Sequence, residues 1–431
     1  MRESLGLLRH ERRARLFFLA MAQSALGTGA GYIALLLIAY ERFESPWAIS
    51  LVLIADLIPA MLLGPIFGAA ADRWSRKRCA VIADVVRVVA FGGIALVDSY
   101  TATVAFAVLA GTGTGLFRPA ALAALPSVVD EPRRLPAATS LYGAVSDLGF
   151  TAGPAVAAAV LAVGGPETLM WANAATFAMS ALVLAPLRFG AAPARPEDHA
   201  PASLFAEARD GLKATAGMRA IRIVVLATSA AVFGAGLFNI AELFFATEDL
   251  GTSDAGFAVL VTSFGLGFIA GSFAGANGGP THVLKRRYLM GLLFFAVGLL
   301  ATGLTGILAV ELAPAGVVFV LALLTFAVGG FGNGLLLVYE RLLIQDDVPD
   351  GLVGRVFGIR DALSSWAFAV AFLMAGALLE VIAARELIAI AGGLGLVSCA
   401  ASAFALRKEW PESGDGAATP DVREMTAGAG V

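Results

Sequence analysis

Charged residues are scarce in this sequence: Asp, Glu, Lys and Arg make up 15% of its 431 residues, against about 25% for a soluble globular chain. The basic residues fall in short scattered clusters and the net charge is −3, which excludes a nucleic-acid partner. Histidine is nearly missing. The three present, His10, His199 and His282, lie in connections or near the terminus, so no metal-ligand cluster forms within an apolar run. No H-E-x-x-H, G-x-S-x-G or G-x-x-x-x-G-K-[ST] pattern occurs, which removes the sequence marks of zinc hydrolases, serine hydrolases and nucleotide hydrolases. An intramembrane enzyme is the main rival from another class, and it finds no catalytic group here. A channel would want repeated pore-lining groups or a filter loop, and neither is evident. Cysteine is limited to Cys79 and Cys399, far apart beside apolar stretches and read as small buried hydrophobes, not a disulfide.

What remains is apolar. Hydrophobic types make up 58% of the chain, and a bilayer core takes about 20 such residues per helix. Twelve runs of suitable length emerge, near 16-40, 48-70, 79-97, 101-126, 137-163, 168-187, 221-246, 254-276, 288-308, 314-342, 356-379 and 386-406. The expectation is an all-α membrane protein of twelve transmembrane helices. The polar, basic stretch Met1 to Arg15 precedes a run too long for the core of a signal peptide, so the first run is read as a span.

Lys and Arg gather on one side of this layout. Arg2, Arg9, Arg12, Arg13, Arg15, Arg73, Arg76, Lys77, Arg78, Arg133, Arg134 and the basic residues from Arg188 to Arg222 share it with Lys285, Arg286, Arg287, Arg341, Arg355, Arg360, Arg407, Lys408 and Arg423. Only Arg42 and Arg385 fall opposite. Because cytoplasmic segments carry the positive excess, both termini are expected in the cytoplasm, which requires an even number of spans. The expected domains are a six-helix bundle at 1-188, a cytoplasmic linker at 189-220, a second six-helix bundle at 221-408 and a disordered cytoplasmic tail at 409-431. Within the linker, Leu204, Ala208 and Leu212 recur at i, i+4, i+8, the pattern of a short amphipathic helix on the inner membrane surface.

Between spans two and three stands GPIFGAAADRWSRKR, in which Gly68 precedes Asp72, Arg73, Arg76 and Lys77. Gly68 lies one turn before Asp72 on the same helix face, where its small size admits a neighbouring helix. Asp72, at a helix end, can accept from the N-terminal amides of another helix, and the basic cluster anchors the loop at the inner leaflet. A plain positive-inside loop would explain the basic residues but not the Gly-x-x-x-Asp-Arg spacing. The segment resembles the loop between helices two and three of the major facilitator superfamily, G-x-x-x-D-R-x-x-R-[RK], and the six-plus-six layout extends the resemblance over nearly the whole chain. The resemblance implies two six-helix bundles around a cavity that opens alternately to either side, with Asp72 docking near Gly354 to Gly358 as a conformational latch. The corresponding loop after span eight keeps Gly271, Gly275, Gly279 and a basic cluster but lacks the Asp-Arg pair.

Span five carries Gly149, Gly153 and Pro154 in SDLGFTAGPAVAAAV. This looks like the superfamily's antiporter motif, G-x8-G-x3-G-P-x2-G-G, with Ser140 for the first Gly and Ala157-Ala158 for the closing pair. The resemblance implies proton-coupled export; plain helix packing by small residues is the structural alternative. The segments FRPAALAALPSVVD and VGRVFGIRDALSS resemble the macrolide-efflux and siderophore-exporter branch. Such proteins carry drugs, antibiotics or siderophores and need no cofactor beyond the proton gradient. The expected partners are a small-molecule substrate and the lipid bilayer of a bacterial inner membrane, with the chain acting as a monomer.

A charge inside a span costs at least about 2.5 kcal/mol at the helix centre, so each is a functional candidate. Asp56 in span two and Asp147 in span five lie near the midplane, where a carboxylate can take a proton from one face and release it to the other. Glu242 in span seven is placed nearer the outer face, where it could titrate or simply meet solvent. Arg118 in span four needs a partner, for which Asp72 or Asp84 is available. Many proton-coupled exporters carry an Arg earlier in span four before a G-x-G pair; here Gly113-x-Gly115 is present but the upstream position is Leu109. Asp84 and Arg87, at i and i+3, are read as a local packing pair. Gln23, Asn173, Asn239 and Asn333 are cavity candidates that could equally bridge helices, and Phe17, Phe18, Phe177, Phe233 and Phe238 would suit a bulky apolar cargo. Uptake or uniport of a small metabolite remains the alternative to export.

Overall fold

The computed structural model describes residues 2-187, 204-276 and 278-411. Residues 188-203, all but the first in the expected linker, and 412-431, in the expected tail, lie outside the described residues, as do the side chains of Gly68, Asp72 and Arg73. No strand occurs among the described residues. Fourteen α-helices follow in order: α1 Arg2–His10, α2 Arg12–Phe43, α3 Pro46–Arg73, α4 Arg76–Leu96, α5 Tyr100–Val128, α6 Leu135–Leu161, α7 Pro166–Leu184, α8 Leu204–Gly217, α9 Arg219–Phe244, α10 Asp254–Ala274, α11 Thr281–Ala309, α12 Ala315–Asp347, α13 Asp350–Leu378 and α14 Ala384–Ala405. Helices are the natural outcome of such a composition, because in hydrocarbon every backbone N–H and C=O must bond within the segment.

Eleven of these helices are long and apolar enough to cross a membrane. The twelfth, α7, has 19 residues and falls short on hydropathy because Glu167 and Asn173 interrupt it. It nonetheless packs between α2 and α4 within the bundle. Turns are short and locally encoded. Glu44 ends α2 in the left-handed region at φ 50° and Pro46 opens α3, while Ser253 caps α10 by accepting from the Gly256 amide at 3.3 Å. Both cysteines are free and buried.

Two groups of helices result. In the first, α2 packs on α6 and α7, α3 on α5, and α4 on α5 and α7; in the second, α9 packs on α13 and α14, α10 on α12, and α11 on α12 and α14. The groups meet where α6 lies against α10 and α3 against α13. The amphipathic helix α8 rests on α13, with Gly211 against the Arg355 carbonyl and Ile359.

Small residues set how closely these helices approach. A Cβ on Gly29 would collide with the Gly149 carbonyl, and one on Gly153 would lie 2.6 Å from the Cα of Gly29. The Gly149-x-x-x-Gly153 spacing therefore forms a groove into which α2 settles, the packing role that small residues commonly play in membranes.

A buried ion pair ties α12 to α13. Glu340, 2% exposed, accepts from Arg360 Nε at 2.9 and 3.1 Å and from Nη2 at 2.7 Å. Removing one partner strands a charge, at a cost of about 3–5 kcal/mol. Arg360→Ala is accordingly expected to lower the thermal midpoint in detergent sharply. Glu340→Leu combined with Arg360→Met should recover much of the loss. An equal midpoint for Arg360→Ala and wild type would remove this pair from the account of stability.

Candidate functional site

Connected hollows run between the two helix groups. One, of about 380 Å³, is walled by the first group, including Thr28 and Tyr32 on α2, Arg87 on α4, Phe117 and Arg118 on α5, and Tyr142 and Ser146 on α6. A second, of about 260 Å³, has Asp147 of α6 facing Phe238, Asn239, Phe264, Phe268, Asn333 and Phe368 of the second group. A narrow apex of about 40 Å³ joins them, sharing Tyr32 with the first and Phe238, Asn239 and Phe264 with the second, and adding Pro154, Glu242 and Gly265.

The cavity is shut at one end and open at the other. At the end farthest from the termini, the Tyr40 hydroxyl donates to Glu248 at 3.4 Å and Ser45 to Glu380 at 3.2 Å, each bond crossing between the groups. The Tyr40 and Phe244 rings meet edge-on at 5.4 Å. The opposite face is the one on which α13 begins at Asp350. Leu337 joins the Asp147 hollow to a vestibule of about 440 Å³ that holds Arg341, Gln345 and the Glu340–Arg360 pair. On this face a Cβ at Gly354 or Gly358 would meet open space.

Asp147 is exposed on the cavity wall, and the positive charges that act on it are those of Arg341 and Arg118. Arg118 is also exposed and shares the first hollow with Tyr142. Its expected pairing with Asp84 does not occur. Asp84 is fully buried and bonded to Arg87, whose guanidinium lies between the Phe117 and Phe177 rings at 4.2 and 4.1 Å. One turn of helix brings Asp84 to Arg87 before any longer-range partner can compete.

Glu242 is not a surface carboxylate. It is 2% exposed and lies at the apex between the groups, because the closed end seals above it. Asp56 packs on α5, with Gly111 against its backbone carbonyl, and one carboxylate oxygen is buried without a described hydrogen-bond partner. It does not line the hollows described above.

Of the four amide candidates, Asn239 and Asn333 face the cavity. Gln23 bridges helices instead, and Asn173 packs against α2. Gln23 Nε2 donates to the Thr176 carbonyl at 2.8 Å, and Asn173, 1% exposed, lies over Gly27 and Gly31 of α2. The glycines leave a slot that the α7 side chains fill, so these amides point into the bundle and away from its cavity. Of the aromatic candidates, Phe238 lines the cavity, whereas Phe17 and Phe18 sit in the core of the first group and Phe177 backs Arg87.

Arg76 donates to Ser127 at 3.4 Å and Lys77 to the Ala185 carbonyl at 3.0 Å, so these two bind within their own helix group. The cavity residues missed by sequence reading are Tyr32, Tyr142, Phe264, Phe268 and Phe368. Each is an ordinary apolar-run residue, and only the packing shows that it faces inward.

Two helical bundles around a central cavity are the architecture of a multi-pass membrane transporter. The family model of the Major Facilitator Superfamily matches residues 16-307, well over half of the chain, and the chain belongs to that superfamily. It is 26% identical over 383 residues to the multidrug efflux pump Tap of Mycobacterium bovis, a match covering 85% of this chain and 87% of that protein. Among solved structures, an auto-inhibited POT family peptide transporter superposes with a TM-score of 0.71 at 13% identity, over 95% of this chain and 99% of the other. A bacterial homolog of the human lysosomal transporter Spinster, inward-facing and unoccupied, superposes with a TM-score of 0.68 at 12% identity, over 92% and 97%. At such identities the two structures speak for the fold alone.

Proposed function

We propose that this transporter exports a hydrophobic or amphiphilic small molecule in exchange for protons by alternating access. It works in a bacterial inner membrane, as a monomer with both termini in the cytoplasm. The observation that carries the reading is the ionisable wall of a cavity open at one end. Asp147 is accessible there, Glu242 is sealed at the apex, and Asp56 packs on α5 with one carboxylate oxygen buried. With the termini in the cytoplasm, as the Lys and Arg bias favours, the open end faces inward and the cavity stands ready to load from the cytoplasm or inner leaflet. The aromatic wall suits apolar cargo, and the likeness to an efflux pump favours the outward direction.

In the cycle we envisage, Asp147 gives up its proton to the cytoplasm as cargo enters, and the bundles then rock to close the inner end. A proton arriving from outside at Asp147, with Asp56 or Glu242 as further carriers, then favours release and return. Asp72, Arg73, Arg76 and Lys77, with Gly68, act as the latch of the inner end, and Gly149, Gly153 and Pro154 shape the helix that bears Asp147. No cofactor takes part.

The test is uptake into inverted vesicles of a panel of dyes, macrolides and siderophores, with and without an imposed pH gradient. Accumulation that collapses when the gradient is dissipated is the expected result. Equilibration at the same rate without any gradient would make the protein a uniporter and the carboxylates structural.

A further inference from the structure

We propose that the hollow walled by the first helix group is a subsite for an anionic amphiphile, an apolar or aromatic body bearing one carboxylate, with Arg118 as the recognising group. The proposal rests on the exporter reading above and names a cargo class for that part of the cavity.

At about 380 Å³ the hollow is of the size that small-molecule sites have. Two basic residues line it, Arg87 and Arg118, and no acidic residue is among those on its wall. Arg87 is already committed: its guanidinium is bonded to the buried Asp84 and lies between the Phe117 and Phe177 rings. Arg118 is exposed and, among the described residues, forms no ion pair within 4.0 Å. Asp147 lines the second hollow, which shares no lining residue with the first. The first hollow therefore carries one positive charge that no carboxylate cancels at contact.

A guanidinium on the wall of a cavity inside the membrane favours an anion there, because the low dielectric strengthens the attraction. Its planar fork of donors matches a carboxylate with two parallel hydrogen bonds. A cationic ligand would be repelled, and a neutral one would displace water from the charge without replacing the lost bonds. The hydroxyls on the wall point to an acceptor as well. Thr28 donates to the Ser24 carbonyl and Ser146 to the Tyr142 carbonyl, both at 2.9 Å, so neither has a proton left to give. Thr114, one turn before Arg118 on α5, has no such commitment, and Tyr142 brings a phenol to the same hollow. Both can donate beside the guanidinium, while Met21, Ala25 and Phe117 offer apolar surface for the body.

The test uses the full chain in nanodiscs and two probes of nearly the same shape, naphthylacetic acid and naphthylacetamide, measured by equilibrium dialysis with empty nanodiscs subtracted. The acid is expected to bind at least about 10-fold tighter than the amide, a difference of about 1.4 kcal/mol. Arg118→Gln should erase that preference by weakening the acid and leaving the amide unchanged, and Arg118→Lys should keep part of it. A loss of fold would weaken both probes together, so the acid-to-amide ratio separates recognition from structure. The proposal is overturned if the acid binds no tighter than the amide, if neither binds, or if Arg118→Gln preserves the preference. Should that variant fail to fold, protection of Arg118 from phenylglyoxal by the acid, read by mass spectrometry on the wild-type chain, takes its place, and absence of protection is the overturning result. Binding in nanodiscs needs no gradient, so the exporter reading stands or falls separately, by the vesicle panel.

Discussion

Replacing Asp147 by Asn is expected to abolish pH-driven export and to leave the fold intact. The side chain is exposed to the cavity and makes no ion pair among the described residues, so an amide of the same shape costs little in packing. It does remove the one ionisable group on the second hollow. A carrier that cannot take up a proton there cannot convert the gradient into cargo movement. Two readouts should part company: the thermal midpoint stays within a few degrees of wild type, while proton release on adding cargo disappears. Asp56→Asn and Glu242→Gln serve as comparisons, because each tests a carboxylate removed from the open water of the cavity. Full gradient-driven transport by Asp147→Asn would transfer the proton to one of these, and retention by all three singly would break the carboxylate account.

A bulky residue at Gly265 should hold the closed end ajar. Gly265 lies on α10 where the two helix groups meet, and a Cβ there would sit 2.6 Å from the Thr151 carbonyl on α6. That oxygen belongs to a helix backbone and cannot swing aside, so Gly265→Leu requires the groups to separate. Overpacking of this kind costs about 1–3 kcal/mol, which would raise the population opened at that end by about 5–150-fold. Spin labels at Glu44 and Val381, exposed on opposite sides of that seam, would report a longer distance, and export would slow because the inward-loading state is depleted. Wild-type distances and rates would show that α6 and α10 can close without this contact. The same substitution at Gly393, where a Cβ meets nothing within 4 Å, is expected to change neither readout.

Much of the molecule is legible in its sequence, and the reasons are physical. Hydrocarbon tolerates helices of a set length, so the spans follow from hydropathy; α7 is the exception that hydropathy alone undervalues, because Asn173 is buried against glycines of α2. Leu204, Ala208 and Leu212 announce α8 by period, although the neighbour it packs on, α13, is not foreseeable. Side-chain direction is harder to read. In a soluble helix polar residues mark the wet face, but in a bundle core both a cavity and a tight helix seam can take an amide. Asn239 and Asn173 look alike in sequence; one faces the cavity and the other fills a slot. Arg118 and Arg87 are similarly confusable, and the choice between them turns on Asp84 lying three residues from Arg87.

The sequence by itself determined a twelve-span membrane chain of this superfamily, because composition, run length and the Gly-x-x-x-Asp-Arg spacing are local properties that no packing can reverse. Only the tertiary structure decided which end is shut, which polar groups meet across the cavity, and that Glu242 lies sealed at the apex. Those outcomes depend on how α6 seats against α10 and α3 against α13, contacts between residues distant in sequence, whose helix rotations are set by packing of small residues and not by hydropathy.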